Sequence, residues 1–592
     1  RLFGNFAETQ FSRDMQGGVK QIPANLDKWT RLMLQQTLHD PSIPRLPVLM
    51  TKSEIKSAWG VVKEHKSAAP SGRYNGIYKA ICTDESLLHF LMISMNLPFM
   101  TGTTYSRWHK MIDIMIFKKP SNIRVDNIRA VIISEGDWNT SGKIHVTRRL
   151  MKQAEACHLL PKEHMGGRKG RKATDGALTK RLVLDNVKVF KRSIAIVSTD
   201  AANCYDRMTH NYISFMCIKW GLMAQVLVSL LLPLQKARHH TRTAFGDSTE
   251  FFQGSNLQGA GQGNTSAAPF WTCISSPIIE IMKQHKLQSH FFSPLSAIIV
   301  TLSLIAFVDD TELFIMNNED NVSELKQQAE SAINLWRELL YVTGGIMRPS
   351  KCSWTMLSYD KQSMKDKVKV INNNIGEICI PSEDGQLSSI SRYEADIPKE
   401  YLGVLQPANG SDEPQLHRLT AKVEEWNNLI QQSKLPPALN LKAIYSKIHK
   451  SLQYPLVTTA ISYEKLQKVS NKLYWKSLPK CGIVRTFPIR YRHLPTHYQG
   501  LGLPDLYLEQ ELGKIRELIS FSYTNYIVWD QLRLGLEGIQ FQLGLSNLIY
   551  NYSYYDYSFL TSDTWIKSQW KFITDNHLRL QGWKDVQKTY RT

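Results

Sequence analysis

The sequence is short of the features that would anchor it in a membrane or staple it with disulfides. No apolar run approaches the ~20 residues needed to cross a bilayer. The stretch AQVLVSLLLPL at 224–234 is too short and is interrupted by Pro233, so a membrane is not an expected partner. The eight cysteines are Cys82, Cys157, Cys204, Cys217, Cys273, Cys352, Cys379 and Cys481. They form no Cys-x-x-Cys pair and no Cys/His knuckle, which signals neither a zinc site nor a disulfide framework and points to reduced, intracellular thiols. Low-complexity tracts and internal repeats are also missing, so a disordered chain is not expected. The opening residues, RLFGNFAETQ, contain no apolar signal core and no initiator Met, the pattern of a reading frame entered midway.

Negative charge is the other scarcity. The chain has 52 Asp and Glu against 72 Lys and Arg, a formal net charge of +20 at pH 7. A field of that sign concentrates polyanions, so nucleic acid or an anionic membrane surface is the partner class that charge alone suggests.

What is present is a long globular chain. At 592 residues and 43% hydrophobic it can build three or four domains and a large core. The first 110 residues are helical in tone, broken by a turn at AAPSGRYNG (68–76). MIDIMIF (111–117) and IRAVIIS (128–134) are strand candidates that could pair as a hairpin. HMGGRKGRKATDGALTKRLVLDNVK (164–188) starts as a basic, glycine-rich loop and continues as a helix. SIAIVSTD (193–200) is a short strand, and HNYISFMCIKWGL (210–222) a helix closed by Gly221. NLQGAGQGNTSAAPFW (256–271) is a glycine-rich turn into an apolar helix, and LSLIAFVDDTELFIM (302–316) reads strand, turn, strand. In SELKQQAESAINLWRELLYVTGG (323–345), Leu325, Ala329, Ile333, Trp336 and Leu340 recur at helical spacing before two glycines. Beyond about residue 410 the chain is mainly helical and more basic. The expectation is an α+β core followed by a helical C-terminal domain.

Asp309 and Asp310 pose a physical problem within that pattern. They lie between apolar strands, where an uncompensated carboxylate costs several kcal/mol or more. A tight turn projects both from the loop tip while the flanking strands stay packed. Hard divalent cations take oxygen ligands and would supply the missing positive charge. Asp200, at the end of another apolar strand, is the natural third acid. If the strands are neighbours, three carboxylates could hold two ions about 3.5–4 Å apart, the arrangement used for in-line phosphoryl transfer. Each acid has a plainer reading: a solvated hairpin turn for the pair, a helix N-cap for Asp200.

The accompanying segments favour the metal site. Over about residues 65–405 they resemble, in order, those of the reverse transcriptases, specifically the non-LTR retrotransposon branch and its group II intron relatives. APSGRYNGIYKAI resembles "PGPDGI", IMIFKKPSNIRVDNIRAVII resembles "IPKKG…YRPISL", and HMGGRKGRKATDGAL resembles "QFGFRKGRSTTDAI". STDAANCYDRM is similar to "DFSKAFDSV", QGAGQGNTSAAPFW to "LPQGSPLSPLLF", and FVDD to "YxDD". GGIMRPSKCSW and EYLGV resemble "GLKLNPSKT" and "YLG". The departures are Phe307 for the usual tyrosine, Ala130 for a proline, and one extra residue in GQGNTSAAP.

The resemblance implies a right-hand polymerase: fingers, a palm built on an antiparallel sheet, and a helical thumb. Residues 1–110 would be an N-terminal helical extension and the start of the fingers, 111–192 the fingers, and 193–405 the palm with fingers-side helices. Residues 406–530 would be the thumb and 531–592 an extension of unknown role. It implies an RNA-directed DNA polymerase from a retroelement, with two Mg²⁺ ions, or Mn²⁺ as a substitute, on Asp200, Asp309, Asp310 and the carbonyl of Ala201. Lys118 (or Lys119) and Arg129 would hold the triphosphate. Tyr205 would exclude a ribose 2′-OH, Gln262 and Gly263 would border the nascent pair, and Lys351 would give a proton to pyrophosphate. An RNA template, a DNA or RNA primer and dNTPs are the implied partners. The implied location is the nucleus for a eukaryotic element and otherwise the cytoplasm.

Residues beyond 410 add a stripe of Lys465, Lys468, Lys472 and Lys476 at helical spacing, near Trp426, Tyr445, Tyr474 and Trp475. It fits a helix following a nucleic-acid backbone, and equally a solvated helix face. Two other activities compete with DNA synthesis: an RNA-dependent RNA polymerase, and an inactive polymerase fold serving as an RNA-binding scaffold.

Overall fold

Helices make up about 52% of the described residues and strands about 14%, in a mixed α and β arrangement with several mixed sheets. The computed structural model describes residues 22–580 except 24, 65–69, 119–123, 125–126, 244, 250–251, 254–256, 286, 318–320, 363–366, 370, 372–374, 383 and 523. Lys119 therefore lies outside the described residues. Among them, no helix is long and apolar enough to cross a membrane.

Strand β1 (Lys110–Phe117) pairs antiparallel with β2 (Ile128–Ile133), Ile116 opposite Arg129. This is the hairpin expected from the alternating segments, and Ala130 takes an ordinary place in the ladder opposite Met115. Helix α1 (Ala173–Val189) then leads into β3 (Ile194–Thr199). Strand β4 (Arg238–Thr243) returns to the first sheet and runs parallel to β1.

The second sheet has the order β8-β7-β3-β6-β5, where β5 is Leu304–Phe307, β6 Asp310–Ile315, β7 Ser353–Leu357 and β8 Ser391–Tyr393. From β5 through β6 and β3 to β7 each strand is antiparallel to its neighbour, whereas the edge strand β8 joins β7 in parallel. The strands read as unbroken apolar runs because both faces are covered. Ala195, Val197, Leu313 and Ile315 join one core with helices α2 (Ala267–Gln284) and α3 (Val322–Val342). Ile194, Ile196 and Phe314 join another with Leu178 and Leu182 of α1. Helix α3 begins at Asn321, whose side chain accepts from the backbone N–H groups of Ser323 and Glu324, and ends at Gly344 with φ +90.

A third core binds α4 (Glu413–Gln432) to α5 (Tyr463–Ser477) through Leu419, Val423, Leu466 and Leu473. Helices α6 (Leu506–Ser522), α7 (Ile527–Gln542) and α8 (Trp565–Asp575) follow. Trp529, Leu532, Trp565 and Trp570 enter the same core as α1 and the second sheet. Helix α7 therefore crosses the expected boundary at 530/531, and the last helices cover the sheet that carries the acids. Helix α1, expected with the fingers, likewise packs beneath that sheet.

Candidate functional site

Register brings the acids together. Thr199 of β3 lies opposite Thr311 of β6, so Asp200 follows at the level of Asp310. Phe307 pairs with Asp310, which leaves Val308 and Asp309 as the two residues of the turn between β5 and β6. Val308 takes φ +58, while Asp309 keeps a negative φ. A positive φ at the first turn position alone is the sign pattern of a type II′ turn, usually given to glycine; for a β-branched residue it costs on the order of 1–3 kcal/mol.

The strain persists because neighbours hold the turn. Trp271 of α2 donates its indole N–H to the Val308 carbonyl at 2.6 Å. The backbone of Met165 donates to Ala306 at 2.8 Å and Ala306 donates to Glu163 at 3.0 Å. Gly166 follows, and a Cβ there would lie 2.3 Å from the Val308 nitrogen. The basic glycine loop thus begins as a backbone clamp on the Asp-Asp hairpin.

Electrostatics show the acids sharing one region. Burial pushes the Asp309 carboxyl up, and the charge of Asp200 pushes the same way. Its own backbone N–H, the Cys204 thiol and Arg129 pull it down. Asp310 is pushed up to about 6, first by lost hydration and then by Asp309, Asp200 and Glu312. Asp310 is exposed at its outer edge while protein crowds it from within, so lost hydration acts on one side only and an ion could still approach from solvent. Asp200 Oδ2 lies 3.3 Å from Lys351 Nζ, yet the angle gives no hydrogen bond and this buried oxygen is left without one. The contact is one of charge alone.

Ala201 forms an isolated antiparallel bridge with Met347. The bonds of that bridge run from Arg348 to the Asp200 carbonyl and from Ala202 to Ile346, which leaves the Ala201 carbonyl outside the pairing. Tyr205 is half-buried beside the first core. Its hydroxyl is pushed up by burial, then by Cys204 and Asp309, and its carbonyl accepts from Ala260 at 2.7 Å. Two residues on, the Gln262 carbonyl accepts from Ile132 of β2 at 2.7 Å. Gly263 has φ +112, and a Cβ there would lie 2.7 Å from the Ile132 carbonyl oxygen. Arg129 is exposed on β2, close enough to act on Asp309. Lys118, also exposed, follows β1, and its backbone donates to Asn127 at 2.8 Å.

The lysine stripe divides in two. Lys465 and Lys472 make ion pairs with Glu413 and Glu424 of α4, since Leu466, Val469 and Leu473 seat α5 against that helix. Lys468 and Lys476 are exposed, but Tyr474 is a core residue bonded to His449 and the Pro504 carbonyl. Of the expected aromatics, Trp475 is the one that stands well exposed.

Four groups were not anticipated: Gly166, Trp271, Cys204, and a buried pair beneath the acids. Glu312 of β6 accepts from Lys180 of α1 at 2.7 Å and from Ser198 at 3.0 Å. Its one sequence signal is an acid inside an apolar strand, DDTELFI.

Among the described residues, no three His, Cys, Asp or Glu side chains converge closely enough to hold a metal ion as they stand. The donor chemistry nevertheless fits a hard cation: neighbouring carboxylates whose charges push Asp309 and Asp310 up, one orphaned buried oxygen on Asp200, and a carbonyl left out of its bridge. Neither a known protein family nor a curated protein matches the sequence.

Proposed function

We propose that the chain is an RNA-directed DNA polymerase of a retroelement, extending a primer 3′-OH with deoxynucleotides on an RNA template within a right-hand fold. The observation that carries this reading is the Thr199–Thr311 register, which sets Asp200 level with the Asp309–Asp310 hairpin. Asp200, Asp309, Asp310 and the Ala201 carbonyl would hold two Mg²⁺ ions, or Mn²⁺. When bound, these ions lower the pKa of the attacking hydroxyl and neutralise the departing pyrophosphate.

The remaining work belongs to side chains of the chain itself. Arg129, whose charge already acts on Asp309, and Lys118 on the same hairpin would fix the triphosphate. The Tyr205 ring, near enough to Asp309 to feel its charge, would collide with a ribose 2′-OH. Gln262 and Gly263, held against β2, would border the nascent base pair. Lys351, beside Asp200, would carry the proton for pyrophosphate. Alignment and charge supply the acceleration, with no covalent enzyme intermediate.

Primer extension tests the proposal. A primed RNA template with Mg²⁺ should be extended with dNTPs and poorly with rNTPs, and Asp309→Asn should abolish extension. Tyr205→Ala should admit rNTPs. Preference for rNTPs in the unaltered chain would favour the RNA polymerase; no extension with intact RNA binding would favour the scaffold.

A further inference from the structure

The helix Glu85–Thr101 is apolar on both sides. Leu88, Leu91, Met95 and Phe99 are buried in the first core. Facing outward, Leu87, Phe90, Ile93, Leu97 and Met100 are each between 49% and 71% exposed. A helix that is apolar all round is normally covered all round, and a continuous apolar patch on a soluble surface marks a contact.

Three features say what covers it. From residue 86 to residue 106 the sequence contains no Asp, Glu, Lys or Arg, in a chain whose net charge is +20. That excludes nucleic acid, which needs cations, and disfavours a lipid surface, where interfacial helices carry basic flanks. The stripe is also symmetric about the point between Ile93 and Ser94. Around that point Leu87 corresponds to Met100, Phe90 to Leu97, and Ile93 to Ser94. A second copy of the helix, antiparallel about a two-fold axis there, sets a large apolar residue against a large apolar residue at both ends and the small serine at the crossing. This is the self-complementarity that an isologous interface requires. Finally, the outer stripe spans about 20 Å at 1.5 Å per residue. A pairing of that length lies near the ~1,000 Å² lower limit of specific interfaces, so the association should be weak.

We infer that this face joins two copies of the chain through an antiparallel helix pair. The test uses the full chain in sedimentation velocity, from sub-micromolar to tens of micromolar, in enough salt to screen its net charge. The inference expects a monomer–dimer equilibrium in the micromolar range. Phe90→Asp with Leu97→Asp should shift it to monomer throughout, with the thermal midpoint at sub-micromolar concentration unchanged because both side chains lie outside the core. For orientation, a mixture of Leu87→Cys and Met100→Cys proteins should crosslink on oxidation several-fold more than either protein alone. A chain that is monomeric over the whole range, including one that instead floats with neutral lipid vesicles, would overturn the inference. So would a dimer that survives both aspartates.

Discussion

At the scale of single residues, the site depends on a turn that is strained and clamped. Val308 holds a left-handed φ between the two apolar strands, and Trp271 and Gly166 close on its carbonyl and its nitrogen. Gly166→Ala is therefore a small change that should disturb the turn directly. Its methyl would fall 2.3 Å from the Val308 nitrogen, where only backbone can yield. We expect primer extension to drop at least about 100-fold, the scale of loss that follows a ~1 Å misplacement of catalytic groups, while RNA binding in a filter assay is kept. Unchanged extension would show that the clamp does not position the acids. Asp200, Asp309 and Asp310 were legible in the sequence because carboxylates among apolar strands demand an explanation. Gly166 and Trp271 were not, because they meet Val308 only once distant segments have docked.

At the scale of elements, helix α1 and strand β6 are joined by one buried charge pair. Lys180 and Glu312 are 4% and 1% exposed in their side chains, so neither ion has water to fall back on. Lys180→Met should cost about 3–5 kcal/mol in urea unfolding, since it strands a buried carboxylate. Lys180→Met combined with Glu312→Gln should recover much of that loss, and strict additivity of the two changes would refute the coupling. The strands and long helices themselves were readable: β1, β2, β3 and α3 lie within a residue or two of the periodic segments. The lysine stripe was readable only in part, because helical spacing places four cations on one face without saying what the face meets, and α4 presents Glu413 and Glu424 to two of them.

At the scale of the whole molecule, the C-terminal helices α6 to α8 return to the sheet that bears the acids, so the chain's end and its centre share one core. Nothing in the local sequence announces this, since the apolar face of a helix does not name its partner. The same deep burial sets the response to acid. His145 and His164 are pushed down to about 3, and His210 and His449 to about 4, each by burial first. Below the unfolded value of 6.5 the unfolded chain takes up protons that these folded histidines refuse. The stability they contribute is thus complete above 6.5 and is lost as pH falls toward 4. Asp175 and Asp310, pushed up to about 6, act in the opposite sense only below that pH. His145 isolates the effect, because both of its ring nitrogens are buried without a partner. His145→Leu should be no less stable at pH 7, and its advantage should grow by about 1.4 kcal/mol per pH unit between pH 6 and 4. A pH-independent difference in unfolding free energy would contradict the burial.

The central claim is that three carboxylates from two paired strands hold cations together, and counting ions tests it most directly. Mn²⁺ binding would be followed by electron paramagnetic resonance with primed RNA template and an unreactive deoxynucleotide analogue. The account predicts two bound ions per chain, with clear loss of binding in Asp200→Asn and in Asp309→Asn at unchanged thermal stability. Binding that is absent from the unaltered chain, or undiminished in both variants, would contradict it.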